Sequence, residues 1–207
     1  MENSVDLVPS PESVMEILQK TGAYRRGHFV YPNGKHASHY FQMPLAFRYY
    51  DNARILSVGL SRLFRMEKSI ASHLPKVSVI SPSPGGIMVA FGVREALNAE
   101  QIYWAEMEDG TRQFRQYMSE HNVHPVIIVD DILRSGRAIN ETFELCNEIG
   151  AEVIGCGVIA KFEDAPNDFN GIPVKSLLSF DVNFYENEGE WKKSRSASEA
   201  EEEKVRF

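Results

Sequence analysis

The residues of this chain whose types and order could do chemistry are concentrated in Val126-Ile-Ile-Val-Asp130-Asp131-Ile132-Leu133-Arg134-Ser135-Gly136-Arg137-Ala138. Four apolar residues that suit a buried strand run into two carboxylates, then a short loop, then a helical segment. Adjacent carboxylates at a strand end accept hydrogen bonds from a pair of vicinal hydroxyls, or hold a divalent metal through oxygen ligands. Gly136 permits the backbone angles that turn a loop's N–H groups inward, and a helix opening near Ala138 adds the positive end of its dipole. A phosphate suits that nest. Together these groups describe a grip for a ribose 5-phosphate. An acidic pair at a strand end is by itself as readily a solvent-facing turn; the full order of strand, acidic pair, loop and helix is what favours the grip.

A grip of this kind needs a frame. Val77 to Ile80, Gln101 to Glu106, Val126 to Val129 and Val153 to Ala160 are short apolar or β-branched runs, and helical segments at Ile87 to Leu97 and Ala138 to Ile149 separate them. Strand alternating with helix implies an α/β fold with a doubly wound, mostly parallel sheet, whose ligands bind outside the carboxyl ends of the strands. Val174 to Phe180 reads as a further strand. Ahead of this core, Ser10-Pro11 followed by Val14, Ile17 and Leu18 predicts a capped amphipathic helix ending at Thr21-Gly22. His28 to Tyr31 and Ser38 to Gln42 flank Pro32-Asn33-Gly34-Lys35, a hairpin signal, and Asn52 to Phe64 predicts a second helix. The expected organisation is a small N-terminal α+β hood over residues 1–70, an α/β core over 71–184 and a charged tail over 185–207. The tail, with seven acidic and five basic residues, is expected to be solvated, helical from Ser198 and not catalytic.

The 207 residues are 43% hydrophobic and 25% charged, enough for one packed domain with an appendage. A net charge of −7 repels nucleic acid and anionic membranes, so an anionic ligand must be met by a local site. Cys146 and Cys156 form no CxxC pair, which suggests neither a disulfide framework nor a structural zinc and fits a reducing, cytoplasmic setting. No apolar stretch approaches the roughly 18 to 20 residues of a membrane helix, and the first residues lack the pattern of a secretion signal. The acidic pair comes too late in the chain for a phospho-receiver domain, and no GxxxxGK[ST] motif of a nucleoside triphosphatase occurs.

Residues 126–138 resemble the signature of the type I phosphoribosyltransferases, an apolar strand followed by two acidic residues and a phosphate loop. Three further segments, in the same order along the chain, are similar to the orotate members of that family. Gly27 to Gln42 places Gly34-Lys35 ahead of Tyr40-Phe41. Ile80-Ser-Pro-Ser83-Pro-Gly85-Gly86 looks like their pyrophosphate loop, and Trp104-Ala-Glu106-Met-Glu-Asp-Gly110 like the start of their mobile catalytic loop. The resemblance implies 5-phosphoribosyl 1-pyrophosphate (PRPP) with Mg2+ as donor, a nucleobase, orotate before others, as acceptor, and a homodimer that shares active sites. It also implies roles. Asp130 and Asp131 would hold the ribose hydroxyls and, directly or indirectly, the metal, with Asp131 counted among the catalytic residues. Ile132, Leu133, Arg134, Ser135, Gly136, Arg137 and Ala138 would surround the 5′-phosphate. Lys35, Ser83, Gly85 and Gly86 would meet the pyrophosphate, and Tyr40, Phe41 and Lys161 the base. Lys35 reads equally as a solvated turn lysine, Tyr40 and Phe41 as core, and Lys161 as an exposed strand-end lysine.

Two departures stand out. Arg134 and Arg137 occupy loop positions that are usually small; pointing inward they would add charge-assisted bonds to phosphate, pointing outward they are surface charge. No lysine occurs from residue 101 to 125, where the mobile loop's catalytic lysine is expected. Arg112 is the candidate to replace it in catalysis, with Arg115, His121 and His124 farther along. The alternative readings are a transferase slower or specific for another base, purine or other, and a PRPP-binding regulator that kept the grip and lost the chemistry.

Overall fold

The computed structural model describes residues 8–114, 124–194 and 202–204. Helix α1 (Pro11–Thr21) starts where the Ser10 hydroxyl accepts the Ser13 N–H and stops at left-handed Gly22. Strands β1 (Tyr24–Val30) and β2 (His36–Phe41) form the expected hairpin, and α2 (Pro44–Phe47), α3 (Tyr50–Arg65) and α4 (Lys68–Ala71) follow. The α/β part runs β3 (Ser78–Ser81), α5 (Ile87–Leu97), β4 (Gln101–Glu108), β5 (Thr111–Phe114), β6 (Val126–Leu133), α6 (Arg137–Glu148), β7 (Val153–Phe162), β8 (Asp168–Phe169) and β9 (Ile172–Phe180). The chain closes with β10 (Phe184–Tyr185), α7 (Glu188–Lys193) and β11 (Glu202–Lys204).

The main sheet has the order β5-β4-β3-β6-β7-β9-β8, parallel except for its two outermost strands. Val126 to Val129 are fully buried, which is why they read as an unbroken apolar run and not as an alternating one. Helices α3 and α5 pack together, α3 also against β7 and β9, while α6 packs against β5 and β6. Leu56, Leu60 and Phe64, four residues apart, bring one face of α3 into the core. Val14 and Leu18 of α1 join that same core. The sheet's order reverses at β3, which is followed by β4 on one side and has β6 on the other; loops leaving β3 and β6 must therefore diverge and leave a crevice.

A second sheet, β10-β2-β1-β11, carries the small Phe29–Tyr40 cluster. Its outer strands come from the C-terminal region: Phe184 pairs with Ala37, and His28 to Val30 pair in parallel with Glu202 to Lys204. That stretch of tail is thus a strand where a helix was expected, because the free edge of β1 offers backbone partners that a charged sequence can still use. The remaining tail residues of that expected helix lie outside the described residues. Trp191 of α7 is buried flat on His28, with ring centroids 3.7 Å apart, so this part of the charged tail is packed and not solvated.

Candidate active site

Asp130 and Asp131 lie in the second half of β6 at the crevice and are 5% and 8% exposed. The Ser83 hydroxyl donates to Asp130 Oδ1 at 2.7 Å, and the Asp131 N–H donates to the same oxygen at 3.0 Å. The loop after β3 therefore sits on the acidic pair. Its glycines are what allow this: a Cβ at Gly85 would lie 2.7 Å from Asp131 Oδ2, and one at Gly86 2.4 Å from Asp130 Oδ1. The N–H groups of Ser83 and Gly86 are used inside the turn, on Ser81 Oγ and on Ser83 itself. Burial raises both carboxyl pKa values, that of Asp130 well above the usual range, with the neighbouring Asp131 charge as the second cause. Among the described residues no cation pairs with these two buried carboxyl groups, a built demand for positive charge or for hydroxyl donors.

The loop that follows turns at Gly136, whose φ of 75° and whose neighbours, Phe169 and Pro166, leave no room for a side chain. Helix α6 begins there without a side-chain cap; the Arg137 N–H donates to Ser135 Oγ at 3.4 Å, and the next N–H groups of the first turn have no helical carbonyl to take. Ile132 and Leu133 pack against the core and do not face the loop, which runs from Arg134 to Gly136 into the first turn of α6. Neither arginine side chain turns into it. The Arg134 guanidinium lies 3.6 Å from the centre of the Phe184 ring, and Arg137 Nε donates to Glu141 Oε1 at 2.5 Å, one helical turn on.

Arg112 stands at the crevice by a route that sequence reading missed. Asp109-Gly110 is a hairpin turn that sends β5 back along β4, which pairs Arg112 with Met107. Its Nε donates to Glu141 Oε2 at 3.0 Å and its Nη1 to the carbonyl of Pro82, the first residue after β3. His124 is placed elsewhere, paired with Glu100 at the amino ends of the strands, and does not replace the missing lysine. Arg115 and His121 lie outside the described residues.

On the hood side, Lys35 Nζ pairs with Glu186 at 2.7 Å. Tyr40 and Phe41 face opposite sides of β2. Tyr40 packs with Phe29 in the small cluster, whereas Phe41 stacks on Phe180 at 4.2 Å and meets Phe162 at the end of β7. Lys161 is 8% exposed, opposite Leu133 in the sheet, and is not an exposed strand-end lysine. Its Nζ donates to Asn167 Oδ1, and among the described residues no carboxylate pairs with it. Phe184, Glu186, Asn167 and Glu141 were not singled out from sequence. Only Glu141 carried a local signal, its i, i+4 spacing from Arg137.

A parallel sheet whose switch point joins a buried acidic pair to an amide nest defines a phosphoribosyltransferase domain, and the family described as phosphoribosyl transferase domain matches residues 105–179. Orotate phosphoribosyltransferase of Caldanaerobacter subterraneus subsp. tengcongensis is 31% identical over 177 residues, 86% of this chain and 88% of that one. The enzyme of the same name from a Thermoanaerobacter species is 33% identical over 177 residues, with the same shares covered. The crystal structure of orotate phosphoribosyltransferase from Aeropyrum pernix has the same fold, with a TM-score of 0.63 at 20% identity over 81% of this chain and 93% of that one. The chain belongs to the orotate phosphoribosyltransferase family.

Proposed function

We propose that this protein transfers the 5-phosphoribosyl group of PRPP to orotate, releasing pyrophosphate and making a pyrimidine nucleoside 5′-monophosphate. The observation that carries this reading is the meeting of the Ser83–Gly86 loop and the Asp130–Asp131 pair at the switch point, with the Gly136 nest beside them. The acidic pair accepts the ribose hydroxyls, and the amides from Arg134 to Ala138 with Ser135 take the 5′-phosphate. The glycine-rich turn, Lys35 and Arg112 face the pyrophosphate. As the base nitrogen gives up its proton to solvent and forms its bond to the anomeric carbon, the bond to pyrophosphate oxygen breaks and its electron pair leaves with that oxygen. Fixed cations at the leaving group then stabilise the transition state more than the ground state.

Among the described residues no cluster of three His, Cys, Asp or Glu side chains could hold a metal by itself. The two uncompensated carboxylates nevertheless fit Mg2+, which binds through one or two carboxylates and completes its shell with water and substrate phosphate oxygens. Bound in that way it supplies neutralising charge to the departing pyrophosphate. Asp130 and Asp131 would hold it, directly or through water. For the base, Lys161 is a buried ammonium whose one partner among the described residues, Asn167, is neutral, and a carboxylate on the acceptor supplies the missing charge. Phe41 and the stacked rings beside it form the apolar wall there.

A second copy of the chain completes the assembly in this reading. A groove of about 590 Å³ runs between α3 and α5, with Tyr50 78%, Phe91 50% and Met88 39% exposed along it. Among the described residues Ser57 Oγ and Arg94 Nε are buried without a hydrogen-bond partner, and the groove's lining carries both a cation, Arg54, and an anion, Glu95, which a two-fold axis would set against each other. Phe91→Glu should shift the sedimentation coefficient from dimer to monomer; an unchanged dimer refutes this surface. The buried free thiols Cys146 and Cys156 suit a reducing cytoplasm, and no helix among the described residues is long and apolar enough to cross a membrane.

The activity is tested by pyrophosphate release from PRPP and Mg2+ with a panel of orotate, uracil, adenine, guanine and hypoxanthine. Release with orotate above the others is expected. Release with another base alone refutes the acceptor, and PRPP binding without any release makes the protein a regulator.

A further inference from the structure

We infer that Glu141 is a positioning residue that holds Arg112 at the pyrophosphate side of the site. The inference rests on the PRPP reading above. One guanidinium ties three segments together: Arg112 belongs to the β4–β5 hairpin, its Nη1 donates to the Pro82 carbonyl of the loop after β3, and its Nε donates to Glu141 on α6 at 3.0 Å. Pro82 directly precedes Ser83, whose hydroxyl is bonded to Asp130. Arg112 therefore stands beside the acidic pair's own loop. Its side chain is 10% exposed, so its charge is largely stripped of water and needs a fixed anion; Glu141 is the carboxylate that pairs with it.

A guanidinium carries five N–H donors. Glu141 and Pro82 occupy Arg112 on two atoms, and its other N–H groups have no partner among the described residues. A fork fixed at its base and open at its tip suits phosphate oxygens. Glu141 also bonds Arg137, so the trio of two guanidinium groups and one carboxylate keeps a net positive charge. That second cation prevents the anchor from repelling the anion that Arg112 is to meet. The two guanidinium groups, Arg137 first, hold the Glu141 carboxyl below its usual range, which keeps the anchor charged.

Glu141→Gln preserves size and removes the charge. By calorimetry with PRPP and Mg2+, it should raise Kd about five- to tenfold, as expected for a lost charge-assisted bond. KM for PRPP should rise in parallel while KM for the base stays within about twofold, a split that general loosening of the fold would not produce. Arg112→Ala should weaken PRPP about ten- to fiftyfold, and adding Glu141→Gln to it should cost less than about twofold more, because the coupled partner is gone. Unchanged PRPP affinity in Glu141→Gln, or effects that multiply in the double variant, would overturn the inference. Glu141→Asp covers a Gln variant that does not fold: its shorter reach should still weaken PRPP, and wild-type affinity would count against the role. A wild-type protein that binds no PRPP refutes the function itself; one that binds PRPP and ignores Glu141→Gln refutes only the anchor.

Discussion

Replacing Asp131 with Asn should make the free protein more stable and the enzyme far less active. Asp131 is 8% exposed beside a second buried carboxylate, and burial raises its pKa in the folded state. A raised carboxyl pKa means that the folded chain binds the proton more tightly than the unfolded one. Stability therefore falls as pH rises from the unfolded value through the folded one, and the penalty is complete above it. Asn carries no charge to desolvate and can donate to Asp130. The gain should be about 1 kcal/mol at pH 8, typical of relieving a strained functional site, or roughly 3 °C in Tm for a domain of this size. It should shrink as pH drops toward the ordinary carboxylate range. Catalysis goes the other way: the ribose hydroxyls lose a charged acceptor worth about 1.5–3 kcal/mol, or roughly 10- to 150-fold in kcat/KM. Thermal unfolding without ligands across pH 5 to about 8, beside pyrophosphate release, reads both. A variant that is less stable at pH 8 and retains full activity refutes the reasoning.

Gly136→Ala forces an alanine into a left-handed turn and drives its Cβ to within 2.8 Å of the Phe169 ring and 3.1 Å of Pro166. It should cost about 2–5 kcal/mol, visible as a lower urea midpoint, and weaken PRPP even where the protein stays folded. Lys161→Met removes a buried ammonium at nearly constant volume. It should leave stability equal or about 1 kcal/mol higher while raising KM for orotate roughly 10- to 100-fold, and PRPP affinity should not move. A matching loss of PRPP affinity would move Lys161 out of the base pocket.

The sheet was legible because its central strands are buried: Val126 to Val129 and Val153 to Ala160 could be read as strands from their apolar runs alone, and Ala138 to Ile149 as the helix between. The acidic pair and Gly136 were legible for a different reason, since strand, carboxylates, positive-φ turn and helix are contiguous. What escaped was everything made by distant pairing. Glu141 meets Arg112 only because Asp109-Gly110 folds β5 back, and that two-residue turn signal was passed over in favour of a loop. Lys161 looked exposed because a strand end usually is, yet β9 extends alongside it and Asn167 closes over it. Tyr40 and Phe41 could not be divided between base pocket and core, because adjacent strand residues face opposite sides and the sequence does not say which side is covered. Trp191 and the Glu202–Lys204 strand show the same limit: a polar tail gives no periodicity, and its packing is dictated by an edge some 170 residues earlier, at His28 to Val30.

A crystal structure with PRPP and Mg2+ would examine the grip itself. The ribose hydroxyls should lie on Asp130 and Asp131, the 5′-phosphate on the backbone N–H groups from Arg134 to Ala138, and the pyrophosphate between the Ser83–Gly86 turn and Arg112. Density for PRPP elsewhere, with the acidic pair still closed on Ser83, would contradict it.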